Sequence, residues 1–103
     1  MAGLRSALFW VKSIPAMTFE FDPAKSSANR AKHGIDFNEA QALWQDPDAL
    51  VVPARRSGEP RRLLIAEREG RVWTAIYTER GERTRLISVR RARENEKAAY
   101  YEH

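Results

Sequence analysis

Six arginines fall within fourteen residues near the end of the chain: Arg80, Arg83, Arg85, Arg90, Arg91 and Arg93. A guanidinium is a planar fork that grips a phosphate or a carboxylate through two hydrogen bonds. Several around one phosphate can stabilise charge that grows toward a transition state. The competing assignment for each is an ion pair with Glu79, Glu82 or Glu94. Groups suited to proton transfer are scarcer. His33 follows Lys32 and precedes Gly34, and a histidine exchanges protons near neutral pH. The same position also suits a cation closing a helix C-terminus. The phenols of Tyr100 and Tyr101 can donate a proton or stack on bases, or can divide between core and rim. With only His33 and His103 and no cysteine, a multi-histidine metal site, a disulfide and thiolate chemistry are all excluded. No metal-ligand spacing, paired-carboxylate pattern or nucleotide-binding glycine loop is present. The expectation is therefore no metal and no cofactor, with any catalysis metal-free.

The charge is divided unevenly along these 103 residues, whose formal sum is +4. Residues 1–52 hold five Lys/Arg against six Asp/Glu, while residues 53–103 hold thirteen against eight, twelve of the thirteen being arginine. A basic second half suits a nucleic acid or an acidic protein partner, as well as a plain solvated surface. The length fits one domain, and a 43% hydrophobic content suffices for one modest core. No apolar run approaches a membrane span, so no membrane association is expected and a reducing cytoplasm is the expected location.

Helices and strands must position these groups. Residues 1–16 cluster Leu4, Leu8, Phe9, Trp10, Val11 and Ile14 without a clear period. They read as an N-terminal extension, disordered or loosely docked, with Met17 as an internal start and residues 17–103 as the domain. Thr18–Phe21 reads as a strand. Asp22-Pro23 opens a helix that runs to His33 and stops at Gly34. Its spacing puts Ala24, Ala28 and Ala31 on one face, Lys25, Asn29 and Lys32 on a second, and Ser26, Arg30 and His33 opposite the alanines. Asp36 and Glu39 form a capping-box pattern before a second helix to Gln45. Strands follow at Ala49–Val52, Arg62–Ala66, Val72–Thr78 and Thr84–Val89, and a helix at Ala92–Glu102 turns Ala98 and Tyr101 inward. Pro53–Pro60 is a polar loop, and Glu69-Gly70 and Arg80-Gly81 are turns. The late strands form an antiparallel meander. The fold class is α+β, a sheet of four to five antiparallel strands with two N-terminal helices and a C-terminal helix. In the last strand, alternation puts Arg83, Arg85, Ile87, Val89 and Arg91 on one face and Thr84, Leu86, Ser88 and Arg90 on the other. Ile87 and Val89 are then buried, and Arg90 and Arg91 end their rows at a cleft. Lys32 and His33, where the first helix stops, are expected to face them.

Several strings share one order and spacing with the BrnT toxin family. They are Phe-Glu-Phe-Asp at 19–22, Ala24-Lys25, Asn29, Lys-His-Gly at 32–34, Phe37, Glu39-Ala40 and Asp46-Pro47. Thr-Glu-Arg-Gly at 78–81, Ile-Ser at 87–88, Arg-Arg-Ala at 90–92, Glu96 and Tyr100 continue the set. The chain resembles that family over residues 18–102. The resemblance implies a RelE-like α+β fold and an RNA-cleaving toxin of a type II toxin–antitoxin system that blocks translation. It implies as partner a DNA-binding ribbon-helix-helix antitoxin, BrnA-like, through which alone the toxin would reach operator DNA. RNA can be cut by its own 2′-hydroxyl attacking the adjacent phosphate, which requires a proton acceptor, a proton donor and cations. Lys32, His33, Arg90, Arg91 and Tyr100 are the catalytic candidates, the acid and the base among them left open. Arg80, Arg83 and Arg85 are the RNA-binding candidates. The alternative function is a non-catalytic RNA-binding or operon-regulating partner of the antitoxin.

Overall fold

The computed structural model describes residues 17–54, 58 and 60–103. The expected extension at 1–16 lies outside the described residues, as do residues 55–57 and 59 of the loop expected at 53–60. The elements are β1 (Thr18–Glu20), α1 (Pro23–His33), α2 (Phe37–Ala40), a 3₁₀ turn (Gln41–Gln45), β2 (Leu50–Ala54), β3 (Arg61–Arg68), β4 (Arg71–Arg80), β5 (Arg83–Arg91) and α3 (Glu94–Glu102). Five strands form one sheet in the order β1-β5-β4-β3-β2. The class is α+β, with the expected order of elements along the chain.

The sheet is mixed rather than wholly antiparallel. β2 to β5 pair antiparallel through successive connections, whereas β1 lies parallel to β5, Thr18 opposite Arg83 and Glu20 opposite Arg85. The helices divide between the two faces of the sheet. On one face Ile35, Phe37, Ala40 and Leu43 pack against Leu64, Ala66, Trp73, Ala75, Tyr77, Leu86 and Val89. On the other, Tyr100 of α3 packs against Ile65 and Val72. Edge-to-face aromatic contacts, Phe19–Trp44 at 5.0 Å and Trp44–Tyr77 at 5.2 Å, tie β1 and the 3₁₀ turn to β4.

Three local expectations change. The second helix is α only to Ala40 and tightens to 3₁₀ through Gln45. Its capping box is present, with Glu39 N–H donating to Asp36 Oδ1 at 2.8 Å and Asp36 N–H donating to Glu39 Oε1 at 2.9 Å. The last helix begins at Glu94, because Arg93 N–H donates to Glu96 Oε1 at 2.8 Å and so sets the first turn. That rotates Glu96 and Tyr100 inward and leaves Ala98 and Tyr101 exposed, the reverse of the expected inward pair. Along β5 the alternation breaks. Ile76 faces Ser88 but Tyr77 faces Leu86, so Ile87 is an extra residue without a partner in β4. Leu86 and Val89 therefore share one buried face, Ile87 is only half-buried, and Arg91 no longer shares a face with Arg83 and Arg85.

Candidate functional site

The C-terminal end of α1 is held over β5 by buried polar side chains. Asp22 caps the helix start, its Oδ1 accepting from Ala24 N–H at 2.8 Å, and Gly34 at φ 82° ends it. Ala24, Ala28 and Ala31 face solvent, and the buried side consists of Ser26 and Asn29. Ser26 Oγ accepts from Phe37 N–H at 2.9 Å. Asn29 Nδ2 donates to Ile35 O and to Val89 O, both at 2.8 Å, and its Oδ1 accepts from Val89 N–H at 3.2 Å. β1 pairs with β5 only as far as Arg85. Beyond it the Asn29 amide satisfies both backbone groups of Val89, as a neighbouring strand would.

This tie sets His33 beside β4. His33 is half-buried and, with Gly34, Arg68, Glu69, Arg71 and Trp73, lines a cleft of about 360 Å³. Arg91 borders the same place from β5. It lies opposite Trp73 in the ladder, and its guanidinium carbon sits 5.6 Å from the Trp73 ring centroid, a cation–π contact. Trp73 is 6% exposed, and its buried indole Nε1–H has no hydrogen-bond partner among the described residues. Arg68 Nη2 stands 3.5 Å from Glu69 Oε2. Arg68 and Arg71 thus line one cleft with a half-buried imidazole, and Arg91 lies over the ring of its Trp73, an arrangement able to bind a phosphodiester and move a proton at it.

The other sequence candidates lie elsewhere. Lys32 is exposed on the last turn of α1, beside His33 in sequence. Arg90 points to the α3 face, not toward Lys32 and His33 as expected, because adjacent strand residues face opposite ways. There its Nη1 and Nη2 grip Glu96 Oε1 and Oε2 at 2.8 and 2.9 Å. Glu96 also accepts from Thr74 Oγ1 at 2.9 Å. The Arg90 guanidinium, outweighing the effect of burial, holds the Glu96 carboxyl down at about 2. Arg83 and Arg85 share Glu20, at 3.4 and 3.1 Å, and Arg85 first among them keeps that carboxyl below its ordinary range. Arg80 ends β4 opposite Arg83.

Tyr100 is buried under α3. Its hydroxyl donates to Asp46 Oδ2 at 2.7 Å, and burial first, then that carboxylate, push the phenol's pKa upward. Burial alone would raise Asp46 too, but the Glu67 N–H, the Tyr100 hydroxyl and the Asp48 N–H outweigh it and hold Asp46 below its usual value. Tyr100→Phe should therefore cost about 1–2 kcal/mol in urea unfolding, since Asp46 keeps its two backbone donors. An unchanged midpoint would show that the hydroxyl contributes nothing to the fold.

The structure thus places His33 and Trp73 on one cleft, with Arg91 over the Trp73 ring. It sets Arg83, Arg85, Arg90 and Tyr100 on the opposite face. Sequence reasoning passed over Arg68, Glu69, Arg71 and Trp73. The available signal was the Glu69-Gly70 turn, because a two-residue hairpin makes its flanking Arg68 and Arg71 neighbours across the ladder.

Among the described residues no helix is long and apolar enough to cross a membrane. No curated protein sequence matches the chain significantly. A family model described as the ribonuclease toxin BrnT of type II toxin–antitoxin systems matches residues 21–96, a span that contains His33, Arg68, Glu69, Arg71, Trp73 and Arg91. With most of its length covered by that match, the chain belongs to the BrnT family of ribonuclease toxins, whose type II systems pair each toxin with an antitoxin.

Proposed function

We propose that this protein is a RelE-like, metal-free endoribonuclease of the cytoplasm that inhibits translation by cutting RNA at the His33 cleft. The observation that carries the reading is the cleft that His33 shares with Arg68, Arg71 and Trp73, with Arg91 over the Trp73 ring. In the reaction the substrate's 2′-hydroxyl attacks the adjacent phosphorus. Arg68, Arg71 and Arg91 hold the phosphate as its charge rises, and His33 transfers a proton at one of the two oxygens. Lys32 adds positive charge at the cleft's rim. Arg83 and Arg85 stand at the far end of β5, about 20–26 Å from Arg91 at the usual strand rise, with Arg80 opposite Arg83 at the end of β4, and the three contact only RNA that extends around the sheet. A ribbon-helix-helix antitoxin, BrnA-like, neutralises the toxin by laying an acidic segment over the arginines, and links it to operator DNA.

The test is cleavage of a labelled single-stranded RNA by the purified chain in the presence of EDTA. His33→Ala should slow cleavage on the order of a hundredfold. Arg91→Ala should lose about 1.5–3 kcal/mol of transition-state binding, one to two orders of magnitude in rate. Both variants should melt close to the parent, because Arg91 is exposed and His33 only half-buried. Full cleavage by both would remove the site, and an RNA that binds without being cut by the parent would favour the non-catalytic alternative.

A further inference from the structure

We propose that Glu69 is the general base of this cleft, which assigns His33 the role of general acid; the inference rests on the reading of the cleft given above. Glu69 is the first residue of the two-residue turn between β3 and β4, flanked by the paired Arg68 and Arg71. Its φ is 53° and that of Gly70 is 79°, so both turn residues occupy the left-handed region, as a type I′ turn requires. Glycine, asparagine and aspartate adopt that region readily, whereas glutamate adopts it at a cost. Among the described residues Glu69 is the one non-glycine with positive φ. A residue poorly suited to its backbone thus lines the cleft of His33, Arg68, Arg71 and Trp73.

Strain of this kind gathers at functional positions, and here the chemistry lacks a proton acceptor. The guanidinium groups of the cleft cannot act as bases. Glu69 is the carboxylate lining the cleft, and its Oε2 stands 3.5 Å from Arg68 Nη2, a second residue of that lining. In the step, Glu69 removes the 2′-hydroxyl proton as that oxygen bonds to phosphorus. The bond from phosphorus to the 5′-oxygen breaks, and protonated His33 delivers its proton to the departing oxygen. The products are a 2′,3′-cyclic phosphate and a 5′-hydroxyl. Water returns the proton from Glu69 to bulk and reprotonates His33, so no other reactant is consumed.

Two substitutions in the full chain test this, because the competing roles predict opposite signs. If Glu69 only places negative charge among arginines, Glu69→Gln relieves repulsion of the polyanion, and cleavage is unchanged or faster. If it is the base, kcat falls about a hundredfold or more, while KM is unchanged or lower. Glu69→Asn should in addition raise the melting temperature by a few degrees, since asparagine fits the turn, and yet lose the same activity. A more stable but inactive Glu69→Asn separates catalysis from folding and supports the proposal. Wild-type kcat in both variants overturns it. His33→Ala, run alongside, keeps the two readings apart. A slow His33→Ala with a fast Glu69→Gln removes Glu69 alone, and fast cleavage by both removes the cleft.

Discussion

Asn29→Ala should lower the melting temperature by about 15–25 °C, the cost of losing about 3–4 kcal/mol from a domain of this size. One amide serves three buried backbone groups, Ile35 O, Val89 O and Val89 N–H. Alanine leaves all three without a partner, and such groups cost about 1–3 kcal/mol each before water and relaxation recover part. The substitution also frees the end of α1, and with it His33, from β5. Cleavage should therefore fall even where the variant remains folded, at low temperature. Thermal unfolding followed by circular dichroism gives the first quantity, and RNA cleavage well below the transition gives the second. A midpoint within a few degrees of the parent would mean that the ladder extension at Val89 contributes little.

Glu96→Ala should cost about 3–5 kcal/mol, the range for breaking a buried ion pair on one side. It leaves the Arg90 guanidinium, whose side chain is 20% exposed, without its carboxylate, and removes the acceptor of the wholly buried Thr74 hydroxyl. The same pair makes the parent protein acid-sensitive. The Glu96 carboxyl titrates at about 2 in the folded chain against an ordinary 4.5, so the unfolded chain binds the proton more readily. Stability from this group is complete above about pH 4.5 and is lost as pH falls toward 2, on the order of 3 kcal/mol in all. Asp46 and Glu20, also held below their ordinary values, add losses of the same sign. Urea unfolding at pH 7, 4 and 2.5 should show a declining midpoint in the parent and a shallower decline in Glu96→Ala. Parallel declines would assign the acid sensitivity to the other carboxylates.

Local signals in the sequence determined a good deal. Asp22-Pro23 and Gly34 bounded α1 because capping and left-handed termination are properties of single residues. The Asp36/Glu39 capping box and the two-residue turns set the remaining order of elements by the same short-range chemistry. The ordered strings from Phe19 to Tyr100 were enough to place the chain in its family. The candidate site was half legible: His33 and Arg91 stood out by residue type, whereas Glu69 read only as a turn and Trp73 only as part of a strand.

Tertiary structure decided which face each group occupies. The extra residue at Ile87 parts Arg91 from Arg83 and Arg85, and strict alternation cannot reveal a bulge that arises from pairing with β4. Tyr100 rather than Tyr101 turns inward because Glu96 fixes the phase of α3 through Arg90 on β5 and Thr74 on β4. β1 lies parallel to β5, and Asn29 completes that edge across sixty positions of sequence. Such contacts join residues whose separation along the chain carries no periodic signal, so only the folded chain could bring His33, Glu69 and Trp73 to one cleft.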